Sequence, residues 1–96
     1  MDTLESLLAQ HLAEPFPDAA VKGLDYGKVD AVMIGADVYG WSSRVERGEV
    51  LSDLERRSFE DAATDLSESI LLFPDAARPY YELLLRIARA ALNRSW

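Results

Sequence analysis

The sequence predicts an all-α fold: an irregular bundle of four main helices and one short helix, packed around a central apolar helix at about 28–47. Apolar side chains recur every three or four residues in four separate segments. Capping residues, prolines and glycines stand at the ends of those segments. No segment alternates apolar and polar residues with the period of two that a half-exposed strand requires. With 96 residues, the chain 1–96 is expected to form one domain.

A first helix is predicted over residues 3–14. The segment 2–5 carries a capping residue followed three positions later by a glutamate. Pro15 and Pro17 end the helix, because proline lacks an N–H and disfavours helical angles in the residue before it. Phe16 is expected to enter the core between these prolines. Residues 18–24 then predict the short helix.

The most apolar stretch, residues 29–45, predicts the central helix. One apolar row follows helical spacing through Ile34, Val38, Trp41 and Val45. A second row runs beside it through Val29, Val32 or Met33, Ala36 and Tyr39. Only a narrow polar seam remains, formed by Asp30, Asp37 and Arg44. A helix that is apolar over most of its circumference is expected to be buried at the centre of a bundle.

A β-strand remains an alternative for part of this stretch, and its glycines are unusual for a helix. Residues 31–34 form a short apolar run rich in residues that favour strands, but no partner strand is evident elsewhere in the chain. Gly35 and Gly40 are unfavourable inside a helix, so they predict a kink or the close approach of another backbone. Gly48 is expected to end the helix, because glycine accepts the left-handed conformation common at that position.

The last two helices are marked by clear start and stop signals. Ser52 and Glu55 form a capping box that predicts a helix to about Leu72, and Pro74 stops it. Pro79 suits the first position of a final helix that reaches about Asn93. The short connections between the last three helices predict roughly antiparallel neighbours.

Composition excludes several classes of function. The net charge is −7, with 17 acidic and 10 basic residues, which argues against binding to the phosphates of nucleic acids. The chain has no cysteine, so it forms no disulfide, thiolate nucleophile or cysteine zinc site. A reducing cytoplasm is therefore the expected location. No signal-like start and no stretch of about 20 apolar residues is present, so we expect no membrane segment.

No catalytic, metal or nucleotide motif occurs in the sequence. His11 is the single histidine, and it falls on or beside the leucine row of the first helix, which is typical of a packed histidine. The glycines form no phosphate-binding pattern, and no GxSxG motif accompanies the serines. We therefore expect no enzyme, no cofactor and no metal.

Five residues are the candidates for binding a partner. Asp37 lies among apolar neighbours with Trp41 one turn away. It predicts a general acid or base, an anchor for a cationic group, an aspartate paired with an arginine such as Arg44, or an aspartate that faces water. A row of carboxylates follows helical spacing on the helix predicted to begin after Ser52; it is formed by Asp61, Asp65 and Glu68. Such a row is either a solvated helix face or a surface that orients a basic protein. The predicted partner-binding set is Asp37, Trp41, Asp61, Asp65 and Glu68.

These observations favour a small, acidic, cytoplasmic interaction module that binds and occludes a more basic protein, as immunity proteins and antitoxins do. A second hypothesis is a homodimeric structural bundle without catalytic function. In that case the basic side of the last helix would meet the acidic row of a second copy, through Arg78, Arg86, Arg89 and Arg94. A third hypothesis is a small-molecule binder or minor enzyme with a pocket around Asp37.

Overall fold

The computed structural model describes residues 3–17 and 24–94. Within these ranges it contains four α-helices, a two-residue antiparallel pair of strands and one 3₁₀ turn. The elements in chain order are α1 Leu4–Ala13, β1 Asp25–Tyr26, β2 Val29–Asp30, α2 Met33–Glu46, α3 Asp53–Ser69, the 3₁₀ turn Ile70–Leu72, and α4 Arg78–Arg94. The predicted all-α bundle of four main helices is confirmed. The predicted short helix at 18–24 lies outside the described residues except for Leu24.

Capping residues fix the helix ends. The predicted box of α3 is confirmed: the Glu55 N–H donates to Ser52 Oγ at 3.1 Å, and the Ser52 N–H donates to Glu55 Oε1 at 3.0 Å. The box of α1 lies one residue later than predicted and joins Thr3 to Ser6, since Thr3 is the residue that keeps extended angles. Gly48 follows α2 with φ 89°, so its predicted role as the terminating residue is confirmed.

Helix α4 supplies the centre of the core. It packs against α1, α2 and α3, and its buried face is formed by Tyr81, Leu83, Leu84, Ile87, Ala88 and Ala91. Phe59 and Leu66 of α3 and Leu4 and Leu7 of α1 close around this face. Helix α2 also contacts the other three helices, as predicted for the central helix. The core therefore rests on the pair α2 and α4 rather than on α2 alone.

The predicted start of the central helix at about residue 28 is wrong, because the chain forms a β-hairpin first. Asp25 pairs with Asp30 and Tyr26 with Val29. Gly27 takes the first turn position with φ 61°, which favours glycine in a two-residue turn. The Asp30 side chain then accepts from two backbone N–H groups, those of Val32 and Met33, both at 2.9 Å, so helix α2 begins after this turn.

The hairpin, residues 25–30, is fixed to the end of α3 and to α4. The Lys28 N–H donates to the buried Ser69 Oγ at 3.0 Å, and Lys28 Nζ lies 2.6 Å from Glu68 Oε2. The Tyr81 hydroxyl donates to the Ala31 carbonyl at 2.7 Å inside the core. These contacts hold the segment that leads into α2 in a single position.

Helix α2 is buried on one face only, so the prediction of burial over most of its circumference is also wrong. Its buried residues are Ile34, Gly35, Val38, Ser42 and Val45. The second apolar row is largely outside the core: Met33 is 56% exposed and Ala36 is exposed. A side chain added at Gly35 would meet α4 atoms at 3.7 Å or more, and at Gly40 it would meet nothing within 4 Å. Neither glycine therefore marks the close approach of another backbone, which was one of the two predicted alternatives.

Candidate functional site

The candidate site is a small pocket between α2 and α3, next to the hairpin. Its volume is about 150 Å³. Asp37 of α2 and Asp65 of α3 both line it, and Asp30 and Lys28 of the hairpin complete its polar rim. The apolar part of the lining comes from Val29, Met33, Ile34 and Ala62. We call this feature the acidic pocket; it brings two of the five predicted residues together from different helices.

The Asp37 side chain is exposed and forms no ion pair or side-chain hydrogen bond within residues 3–17 and 24–94. The predicted alternative of pairing with Arg44 is wrong, because that guanidinium is engaged elsewhere. Arg44 Nη1 pairs with Glu55, and Arg44 Nε lies 3.3 Å from Glu49 Oε1. The hydrogen bond from Arg44, helped by the Ser52 N–H, lowers the pKa of Glu55 to about 2. The Asp37 carboxylate is left facing solvent.

Trp41 packs against the core and is also partly exposed to solvent. Its ring stacks on Phe59 with centroids 5.2 Å apart and planes at 27°, so it fastens α2 to α3. The residue is only half-buried, and it lines a shallow depression with Ala36, Asp37, Gly40 and Arg44. An aromatic edge beside a carboxylate combines apolar contact area with charge, which is typical of residues that dominate protein interfaces.

The acidic row on α3 divides into two parts. Asp61 is exposed and Asp65 is half-buried, and neither forms an ion pair in the described parts of the chain. Glu68 pairs with Lys28, and this hydrogen bond, together with the charge of Glu68, raises the pKa of the Lys28 ammonium. Both partners are half or more exposed, so the pair adds little stability. Glu68 thus serves the hairpin, and the charge of Asp65 also acts on Lys28 and contributes to raising its pKa.

Sequence reasoning missed Asp30, Lys28 and Met33 as pocket residues. The spacing of Asp30 and Asp37 by seven residues was a signal, since it keeps two positions on one side of a helix; here Asp30 lies just before the helix and still reaches the same pocket. Lys28 and Glu68 are 40 residues apart. No local pattern connects two residues at that separation.

His11 has a packing role. Its ring lies between Tyr39 and Tyr80, with centroid distances of 5.7 and 5.3 Å. Burial lowers its pKa, and its buried Nδ1 has no hydrogen-bond partner. Among the described residues, no group of histidine and carboxylate side chains is arranged to hold a metal ion. Phe16, as predicted, packs inward: its ring meets the edge of Tyr80 at 5.8 Å.

Comparisons with protein-family models, with curated proteins and with solved structures found no match to this chain. Within residues 3–17 and 24–94, no helix is long and apolar enough to cross a membrane.

Proposed function

We propose that this protein is an acidic interaction module whose α2–α3 face binds a basic segment of another protein and occludes it, as immunity proteins and antitoxins do. The observation that carries the proposal is the pair of carboxylates, Asp37 and Asp65, placed on two helices around one apolar-floored pocket. Neither forms an ion pair in the described ranges. A lysine or arginine side chain fits this arrangement, because its apolar stem can lie on Met33 while its charged end meets the carboxylates.

The size of the pocket supports a protein partner over a free small molecule. Sites for drug-sized ligands have volumes of roughly 300–1,000 Å³, whereas the acidic pocket measures about 150 Å³. It can admit the end of one side chain that belongs to a larger surface. Trp41 and Asp61 would then lie at the edge of the contact, and the net charge of −7 would accelerate encounter with a basic protein. The lack of cysteine is compatible with binding in the cytoplasm.

The test is capture of a partner from an extract of the source cells by immobilised protein. The double variant Asp37→Asn/Asp65→Asn removes both pocket charges. The matched control Glu5→Gln/Glu14→Gln removes two exposed charges, one in α1 and one directly after it, so both variants have the same net charge. We expect the unmodified protein and the control to retain a basic protein at low salt and to release it at high salt. The pocket variant should bind that protein at least about tenfold more weakly.

Two results would reject the proposal. Equal weakening in both double variants would mean that binding follows bulk charge and not the pocket. A salt-resistant dimer that captures no basic protein would instead favour the homodimeric structural bundle, and light scattering after size-exclusion chromatography gives that mass directly.

A further inference from the structure

A second groove, of opposite charge, lies between the 3₁₀ turn and α4. Its volume is about 460 Å³, and it shares no lining residue with the acidic pocket. Its floor is apolar, formed by Ile70, Leu71 and Leu85. Its rim carries three arginines and one glutamate and is net positive; these residues are Arg78, Glu82, Arg86 and Arg89. We call it the arginine groove.

The floor of the arginine groove exposes apolar side chains. Leu71 is 75% exposed, and Ile70 and Leu85 are half-buried beside it. Leu71 faces outward because the tighter 3₁₀ turn ends the regular spacing of α3, whose buried positions stop at Ser69. An exposed leucine beside partly exposed apolar side chains in one concave surface is typical of a site that another apolar surface covers.

The rim of the groove is partly fixed and partly open. Arg78 Nη2 donates to the Leu71 carbonyl at 3.0 Å, and Arg78 Nη1 lies 2.8 Å from Asp75 Oδ1. This end of the groove is therefore held in place. At the other end, Arg89 is exposed and forms no ion pair in the parts of the chain that the structure describes. An open guanidinium beside an apolar floor is suited to bind a carboxylate.

The groove has the length of a short helix. Its α4 residues lie at positions 78, 82, 85, 86 and 89, which is one helix face over three turns. At 1.5 Å per residue this face is about 16 Å long. The wall opposite it is the 3₁₀ turn. A helix of three turns lying along α4 would place one row of side chains on the leucines and flanking side chains beside the arginines.

We infer that the arginine groove docks an amphipathic acidic helix from another protein, with leucine-like side chains on its floor and glutamate or aspartate at its rim. A second copy of this chain is a poorer match. The one leucine between the carboxylates of the acidic row on α3, Leu66, is fully buried, and the one exposed large apolar residue of α3 is Leu54 in its first turn. This inference concerns another surface and a partner of opposite charge, so it stands independently of the proposed function.

The probe is a fluorescent peptide of about 14 residues, long enough for three helical turns, with leucines at helical spacing and glutamates on either side of them. Binding is measured by fluorescence anisotropy at physiological ionic strength. The variants are Arg89→Glu, which reverses the rim charge, and Leu71→Ser, which removes the exposed floor. The matched control is Arg57→Glu, an equally large charge change at an exposed position of α3. Circular dichroism melts check that all three variants fold.

We expect saturable binding that Arg89→Glu and Leu71→Ser each weaken about tenfold or more, while Arg57→Glu changes it less than about threefold. A peptide with glutamine in place of glutamate, or alanine in place of leucine, should bind correspondingly more weakly. Absence of saturable binding, or equal weakening by Arg57→Glu, would overturn the inference. Self-association of the unmodified protein in sedimentation, abolished by Arg89→Glu, would assign the groove to a second copy and would also overturn it.

Discussion

Helices α2 and α4 are both rich in apolar residues and both contact the other three helices, yet α4 buries more apolar side chains than α2. Tyr81, Leu84 and Ile87 are fully buried, whereas Met33 at the start of α2 is 56% exposed. The difference comes from the neighbours and not from the composition of either helix. The other helices enclose α4, and they leave one side of α2 open beside Asp37. Helix α4 thus contributes more buried apolar side chains to the core, and the outward side of α2 is exposed to solvent.

Leu84→Ala tests whether the buried face of α4 contributes more to stability than the exposed side of α2. The substitution removes a fully buried side chain at the centre of the core and should lower the free energy of unfolding by about 2–5 kcal/mol. The control Met33→Ala, on the exposed side of α2, should change it by less than about 0.5 kcal/mol. Denaturant unfolding followed by circular dichroism measures both. Similar losses in the two variants would show that α2 contributes as much as α4.

The hairpin can be tested with a pair of glycines. Gly27 and Gly48 both have positive φ, but a Cβ at Gly27 would lie 2.7 Å from Leu72 Cδ1 and Ser69 Oγ, while at Gly48 it would meet nothing within 4 Å. Gly27→Ala should therefore cost about 1–3 kcal/mol of unfolding free energy, and Gly48→Ala about 1 kcal/mol. If both cost the same, the hairpin is not packed on the end of α3.

Tyr81→Phe isolates the bond that joins α4 to the start of α2. The ring contacts remain, including the stacking on Phe73 with ring centroids 3.8 Å apart, but the Ala31 carbonyl loses its buried donor. We expect a loss of about 1–2 kcal/mol in unfolding free energy. Phe73→Leu is the complementary variant, which keeps the hydrogen bond and removes the stacking. An unchanged stability for Tyr81→Phe would mean that water replaces the hydroxyl.

On the open side of α2, a substitution should stabilise the protein. Gly40 is exposed within a helix, and an added Cβ meets nothing within 4 Å. Gly40→Ala should raise the unfolding free energy by about 0.5–1 kcal/mol, because alanine loses less backbone entropy in a helix. A thermal melt beside that of the unmodified protein measures the gain. Destabilisation would reveal that α2 needs the glycine for a bend.

His11, which is half-buried between two tyrosines, should make the unfolding free energy weakly dependent on pH. Burial lowers its pKa in the folded state, so the unfolded chain takes up the proton first as the pH falls. Its contribution to stability is complete above the unfolded pKa of about 6.5 and is lost as the pH falls through the lower folded value. We expect unfolding free energies measured from about pH 7.5 to 5.5 to fall for the unmodified protein and to change less for His11→Phe.

Glu55 gives no signal in that interval, because its pKa is lowered to about 2. The stability it contributes is present above its unfolded value and is lost only as the pH falls towards 2. If the unfolding free energies of the unmodified protein and of His11→Phe change equally with pH, His11 is not the source of the pH dependence.

Helix capping and termination could be predicted from the sequence, whereas contacts between residues far apart in the chain could not. The capping box at Ser52 and Glu55 and the stop at Gly48 depend on residues a few positions apart, so both were predicted. The hairpin was missed because its strands are two residues long, which is too short for an alternating pattern. The exposure of Asp37 was left open as one of several alternatives, because hydrophobic spacing shows which side chains share a face, but not whether another helix covers that face.

The position of the hairpin has a consequence for protein synthesis. Residues 28 and 31 are held by Ser69 and Tyr81, which lie 41 and 50 residues further along the chain. The hairpin and the rim of the acidic pocket therefore reach their final positions only after Ser69 and Tyr81 have left the ribosome. A nascent chain that stops before Tyr81 lacks the hydroxyl that holds the Ala31 carbonyl in the core.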